Sequence, residues 1–455
     1  MNKRPLIIPS ETQTREFDAK LLLAAVAAER GFPVVVGSRT DIHLRIASLP
    51  RGIYVANNVR KSSERMFRIM KNLGFEIVAW DEEGLVTYSP EYYLEKRVSD
   101  EALGRTSHFL AWGDEHADVF RTRRKYSGIP VHVTGNPRVD IMRPEFLPYF
   151  HNEVDRIREQ FGRFVLINTN FGALNHFVPN LSIAVSTSSP NDNVDFSTGV
   201  NAHRYKIFSG MLALVPHLAK RFPSVNIVVR PHPAENHEPW HTAASGHDNV
   251  HVVHKGNVIP WVLASSVLVH NGCTTAVEAF VLRKPAVAYR PVIDERYEIN
   301  LPNDLSYPAR NEDELFDTLS QILGGELGPC DGPEYWRCAH HNIAALDGPL
   351  ASDRIVDLLK EIECRPLQGG THGIVGYAWG WIQATLRARS KRANAGKPGH
   401  KNNAEYQRQR FPGLELAEVR DRLDCLITQS GRFQGLQVQK LEENIFRIIS
   451  KGDSR

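Results

Sequence analysis

Cysteine is sparse and unpaired in this chain. Five are scattered through 455 residues, at 273, 330, 338, 364 and 425, with none at CxxC spacing. That excludes a disulfide framework and a zinc ribbon. Cys330, Cys338, His340 and His341 form the one group that could suggest zinc, but they lack the short ligand spacings, and helix packing with surface histidines is the simpler reading. Long apolar runs are missing too: no stretch approaches the ~18 apolar residues of a membrane span. Met1-Asn2-Lys3-Arg4-Pro5 leads into a strand without a signal-peptide apolar region. A cytoplasmic protein is expected. A net charge of +3 provides no whole-protein field for nucleic acid, which is not expected as a partner. Walker A and GxGxxG patterns are absent, which disfavours an NTPase and a dinucleotide oxidoreductase. With no metal motif either, metal-independent chemistry without a cofactor is expected.

What is present is a repeated strand–helix rhythm. The chain is too long for one core, so two large domains and an appendage are expected. Short apolar strands at 6–9, 34–37, 53–56, 76–80, 109–113 and 131–135 alternate with helical stretches such as 17–30 and 64–73. Crossovers of this size force parallel, right-handed pairing. A second series begins at 164–167 and continues through 227–229, 250–253, 267–269 and 285–289, with helices near 205–221 and 352–363. Its first loop, 168–202, is long and polar, as functional or mobile loops are. The reading is α/β: a Rossmann-like domain over 1–150, a second over 151–365 facing it across a cleft, and a helical, partly basic extension over 366–455. Residues 414–449 read as two amphipathic helices.

Ligands bind at the C-terminal ends of the strands in open α/β sheets, so the residues just after each strand carry the functional reading. Ile227-Val228-Val229 runs into Arg230-Pro231-His232-Pro233-Ala234-Glu235. The prolines stiffen the exit from the sheet and present a cation, an imidazole and a carboxylate together. The plain alternative is a proline-rich turn with solvated side chains. His270-Asn271-Gly272-Cys273-Thr274-Thr275-Ala276-Val277-Glu278 passes from a buried strand into a helix. Gly272 permits close backbone approach, and Thr274, Thr275 and the first helix amides suit an anion, unless a threonine simply caps the helix. Arg230, His232 and Lys255 add positive charge, and Glu278 is placed for ribose hydroxyls. Asn170, Glu235 and Asn271 complete the expected nucleotide side. The first domain offers acids: Glu11 after the first strand, and Asp81, Glu82 and Glu83 after the fourth. A carboxylate there could serve as general base for an acceptor hydroxyl, although three adjacent acids also make an ordinary solvated turn. With Arg15, Glu11 and Glu83 form the expected acceptor side. Glu82 is the expected base, with Asp81 as second choice.

Several stretches together resemble GT-B glycosyltransferases of the bacterial surface carbohydrate biosynthesis type. They are Arg15-Glu16-Phe17-Asp18-Ala19-Lys20-Leu21-Leu22-Leu23, Asp81-Glu82-Glu83-Gly84, Arg230 to Glu235, and His270 to Glu278. The resemblance covers most of the first 365 residues, and 406–412 also fits it. The His-Pro pair in addition resembles that of CMP-using GT-B enzymes such as sialyl-, Kdo- and polyglycerolphosphate transferases, where the histidine contacts the nucleotide phosphate. His232 would do so here. The resemblance implies transfer from a nucleotide sugar, with a CMP-activated acidic sugar preferred, to a glycan or lipid-linked glycan acceptor in surface polysaccharide or lipopolysaccharide assembly. Two other classes stay open: a non-hydrolysing UDP-GlcNAc 2-epimerase-like enzyme, and a non-catalytic polysaccharide-assembly scaffold.

The tail divides two readings. Residues 373–382 are apolar and aromatic, with Tyr377, Trp379 and Trp381. Eight Lys/Arg against one acid, Glu405, follow between 387 and 410. Residues 373–410 are either an interfacial segment touching the inner face of the membrane, or a packing helix with a solvated loop.

Overall fold

The computed structural model describes residues 4–122, 128–183, 196–363, 373–397 and 403–450. Cys364, Lys401 and part of the long polar loop expected at 168–202 lie outside them. The chain divides into two compact units, residues 1–149 with 340–455, and residues 150–339.

In the first unit, β1 (Leu6–Ser10), β2 (Val34–Ser38), β3 (Ile53–Ala56), β4 (Glu76–Ala79), β5 (His108–Ala111) and β6 (Val131–Val133) pair in parallel in the order β2-β1-β3-β4-β5-β6. β1, β2, β3 and β5, rich in Val, Ile and Ala, are buried along their whole lengths, and β4 at every position but Glu76, as continuous apolar runs in parallel sheets must be. The helix Gln13–Glu29 is buried at every position from Glu16 to Ala28, which a helix apolar on all faces requires.

The second unit holds β7 (Phe164–Asn168), β8 (Asn226–Arg230), β9 (Val250–Val252), β10 (Val267–His270), β11 (Ala286–Tyr289) and β12 (Tyr307–Ala309). All are parallel, in the order β12-β11-β10-β7-β8-β9. Sequence periodicity misses β12. It is three residues long with Pro308 at its centre, a composition tolerated only at an edge, and an edge is where it lies.

The C-terminal region departs from expectation in two ways. The helix Ala351–Glu363, expected in the second domain, belongs to the first unit. Asp140 is fully buried there and accepts from the amides of Ala351 (2.7 Å) and Ser352 (2.8 Å) and from the Ser352 hydroxyl (2.7 Å), a carboxylate set against a helix N-terminus. Arg30 pairs with Asp353 of that helix at 2.5 Å. Second, the extension is only partly helical. After the helix Leu416–Ser430 the chain forms a hairpin, β13 (Leu436–Glu442) and β14 (Ile445–Ser450), and β14 pairs antiparallel with β2. The first sheet therefore has eight strands, ordered β13-β14-β2-β1-β3-β4-β5-β6.

The hairpin docks through backbone. Ser38 donates to the Asn444 carbonyl at 2.9 Å, and a Cβ on Gly37 would overlap that same oxygen. Gly37→Ala is therefore expected to cost roughly 1–3 kcal/mol and to loosen the hairpin. Denaturant unfolding with hydrogen exchange on 436–450 checks this; unchanged protection of β14 would contradict the docking.

Candidate functional site

Both sheets are covered on their faces, so polar side chains collect at strand ends. Ten buried side-chain atoms have no protein partner among the described residues. Seven sit at or within three residues of a strand's C-terminal end: Ser10 Oγ, Asn57 Oδ1, Glu82 Oε2 and Asn136 Nδ2 in the first unit, and Asn168 Oδ1, Arg230 Nε and Asn271 Oδ1 in the second. Native proteins rarely leave such atoms unpaired, and each calls for an explanation.

In the second unit the register aligns Arg230 with Asn168 and Asn168 with His270, a row of three polar residues across three strand ends. Arg230 Nη2 donates to the carbonyls of Lys255 (3.3 Å) and Gly256 (2.6 Å). Burial pulls its guanidinium down to about 10, against the pull of Glu278. Asn168 Nδ2 donates to Thr275 Oγ1 at 2.8 Å. Gly272 has φ +79, a left-handed conformation that favours glycine, and it turns the chain into the helix Thr274–Val281. Cys273, rather than either threonine, holds that helix's N-cap position. His270 is a packing histidine: its Nδ1 accepts from Gly272 at 3.0 Å, its Nε2 meets Ser306 Oγ at 2.9 Å, and burial lowers it to about 3.

His232 Nδ1 accepts from the Ala234 amide at 3.1 Å. A neutral ring must then carry its proton on Nε2, which becomes a donor. His254, next to the turn, meets the Pro231 carbonyl at 2.8 Å and is lowered to about 4 by burial and then by Arg230. Glu235 takes another role than ligand binding. It is 1% exposed and spent inside the protein, accepting from Thr169 (2.7 Å), Phe171 (2.8 Å), His232 (3.1 Å) and Trp240 (3.0 Å). Its expected place on the nucleotide side gives way to one as a clamp that fixes the Arg-Pro-His-Pro turn. Lys255 is exposed, and its carbonyl is what Arg230 holds. Asn170 is half-buried, with its carbonyl bound by Arg204. Thr274 is half-buried; Thr275 and Glu278 are buried.

At the first sheet's edge the organising residue is Lys20, which sequence reasoning missed as a site residue. It is 2% exposed and pairs with Glu16 at 2.6 Å and Glu82 at 2.9 Å. Trp80 Nε1 donates to Glu82 Oε1 at 2.9 Å, leaving Oε2 as the unpartnered oxygen. Asn57 (3.3 Å) and the Glu11 amide (2.9 Å) donate to Glu16. Burial alone would raise Glu16, but Lys20 outweighs it and holds the carboxyl at about 2. Asp81, the second choice of base, is fully buried with Arg97 on both oxygens at 2.6 and 2.7 Å, and burial pushes its carboxyl up to about 7. Glu83 pairs with Arg15, which holds its carboxyl low against burial. Glu11 pairs with Arg39 at 2.7 Å and with Arg410 from the C-terminal segment. Beside it opens a cavity of about 220 Å³ whose lining includes Glu11, Ser38, Thr40, Asp41, Gln407 and Asn444. The structure thus gathers Glu11, Arg15, Glu82 and Glu83 about one sheet edge, and Arg230, His232, Asn271, Gly272, Thr275 and Glu278 about the other.

No family model matches the chain, and no curated protein matches it in sequence. Solved structures do align. A Listeria monocytogenes protein assigned as a UDP-N-acetylglucosamine 2-epimerase aligns over 80% of this chain and 97% of its own, with TM-score 0.51 and 13% identity. The fold is of the GT-B type. At TM-scores of 0.47, the same GT-B neighbourhood includes a Neisseria meningitidis UDP-GlcNAc 2-epimerase bound to UDP-GlcNAc (14% identity; 78% and 99% covered) and the wall teichoic acid polymerase TagF (11%; 80% and 89%).

Lys20 gives a stability prediction. Lys20→Met strips the compensating charge from two buried carboxylates and should cost about 3–5 kcal/mol. Glu16 lies below its ordinary 4.5 in the folded protein, so its stabilisation is complete above that pH and fades as pH falls toward 2. Urea unfolding between pH 7 and 2.5 should show this acid loss in the wild type, and less of it in Lys20→Met. Equal stability of the two proteins at pH 7 would refute the pairing.

Proposed function

We propose that this GT-B-fold chain is a nucleotide-sugar enzyme working as a glycosyltransferase in surface polysaccharide or lipopolysaccharide assembly. The observation that carries the reading is Arg230: a buried guanidinium at a strand end, gripping two carbonyls, with its Nε unpartnered among the described residues beside a glycine-turned helix N-terminus. Such a group suits an anion of the size of a nucleotide phosphate. In this reading Arg230, the His232 Nε2–H, Thr274, Thr275 and the first amides of the helix Thr274–Val281 hold the donor phosphate, and Glu278 takes the ribose. Lys255, Asn170 and Asn271 border that site. As the bond from sugar carbon to phosphate oxygen breaks, charge gathers on the departing phosphate, where these donors stabilise it without a metal.

Glu82 is the proposed base. Its Oε1 is held by Lys20 and Trp80, which leaves Oε2 to accept the acceptor's hydroxyl proton as the new glycosidic bond forms. Glu11, Arg15 and Glu83 line the acceptor side, where a glycan or lipid-linked glycan would enter. A CMP-activated acidic sugar is the first donor to test. The Listeria alignment favours one competing reading, epimerisation of a UDP-sugar, which needs no acceptor.

A thermal-shift panel of CMP, CDP, UDP and GDP should show one nucleotide raising the melting temperature, because a ligand of the folded state alone must stabilise it. His232→Ala should lower turnover by ~10²–10³ with the fold intact. Glu82→Gln should lower transfer by ~10²–10⁴ while keeping the nucleotide shift. Wild-type turnover in either variant removes that residue's role. Epimer formation from nucleotide sugar alone replaces transfer with the second reading.

A further inference from the structure

Eleven large apolar residues are exposed among the described residues, and six of them fall on the helix Gly373–Ala393: Ile374 (89%), Val375 (80%), Leu386 (55%), Trp379 (54%), Trp381 (50%) and Ile382 (42%). At about 100° per residue these six lie within an arc of roughly 160°. The buried residues Gly376, Gly380, Ala384 and Ala388 line the other side. That small-residue side is the one docked on the first unit. A Cβ on Gly380 would meet Asn72 Cβ at 2.8 Å, and Arg51 stacks on Tyr377 at 4.1 Å. The helix is thus already seated by its small face, and its large apolar face is left outward.

Charge identifies what covers it. Residues 373–397 contain no Asp or Glu and five cations: Arg387, Arg389, Lys391, Arg392 and Lys397. Arg389 and Arg392 are exposed and fall on the same arc as the apolar residues, at its C-terminal end. A second copy of the chain docking here would bring the same cations together. No described helix is long and apolar enough to cross a membrane. We infer that the helix Gly373–Ala393 lies along an anionic phospholipid surface, with Ile374, Val375, Trp379, Trp381, Ile382 and Leu386 entering the acyl boundary and Arg389 and Arg392 meeting lipid phosphates. The inference goes beyond the proposed chemistry and stands without it.

The full chain should co-sediment with phosphatidylglycerol-containing vesicles and not with vesicles of phosphatidylcholine alone, and added salt should weaken the binding. Trp379→Ser with Trp381→Ser, and separately Arg389→Glu with Arg392→Glu, should each lower the partition coefficient by about tenfold or more. All four residues are exposed, and an unchanged melting temperature confirms folding. Equal binding to both vesicle types overturns the proposal, as does binding indifferent to either pair of substitutions. Sedimentation velocity supplies the remaining outcome: dimerisation lost with the tryptophans, and no vesicle binding, would make this face a self-interface instead.

Discussion

A parallel sheet buried on both faces can display polar side chains only where its strands end. The placement of both polar edges follows from that constraint. β1, β5, β7 and β10 are buried along their whole lengths, so a charged residue within them would lose its hydration with nothing in return. Parallel register then sets the C-terminal ends side by side, as it does for Arg230, Asn168 and His270. Each sheet gathers its polar groups on one edge, and each edge holds buried atoms with no protein partner.

The two edges solve the burial of charge differently. In the first unit cation and anion neutralise each other: Lys20 between Glu16 and Glu82, Arg97 on Asp81, Arg15 on Glu83. A buried pair of this kind adds little net stability but is costly to break, so its value lies in holding carboxylates in fixed positions. In the second unit Arg230 is held by backbone carbonyls instead, and the histidines near it are driven toward neutrality by burial. Carbonyls orient a guanidinium without cancelling its charge. At the first edge every carboxylate named has a cation beside it, and the buried atoms left without a protein partner there are Ser10 Oγ, Asn57 Oδ1, Glu82 Oε2 and Asn136 Nδ2; at the second, Arg230 is oriented by carbonyls with its Nε left over.

The strands and the edge motifs were legible because their signals are local. A β-branched run followed by Arg-Pro-His-Pro or His-Asn-Gly announces both a strand and what leaves it. Partner choice was not legible. Nothing adjacent in sequence tells that Glu235 spends its carboxylate on Thr169, Phe171 and Trp240, or that Arg97 takes Asp81. Lys20 did leave a trace, since it is the one charge in the run Ala19 to Ala28, and a helix apolar on every side must pair any charge it buries. The hairpin left one too. Leu436 and Val438 alternate with Gln437 and Gln439, and Asn444 adopts a positive φ of 57 at the turn. Period-two alternation of that length argues a strand, but the preceding helix Leu416–Ser430 encouraged a continued helical reading.

The C-terminal segment is better understood as part of the first unit's construction than as an appendage. β14 covers β2, which would otherwise be an unpaired edge open to association. Phe411 packs edge-on against Phe17 at 6.2 Å, Gly413 donates to Gln13 at 3.0 Å, and Arg410 reaches Glu11. These contacts converge on the start of the helix that carries Glu16 and Lys20. Residues 410–450 therefore brace the acid-bearing edge from the side opposite to β3, and the position of the Glu82 carboxylate depends on chain more than three hundred residues away.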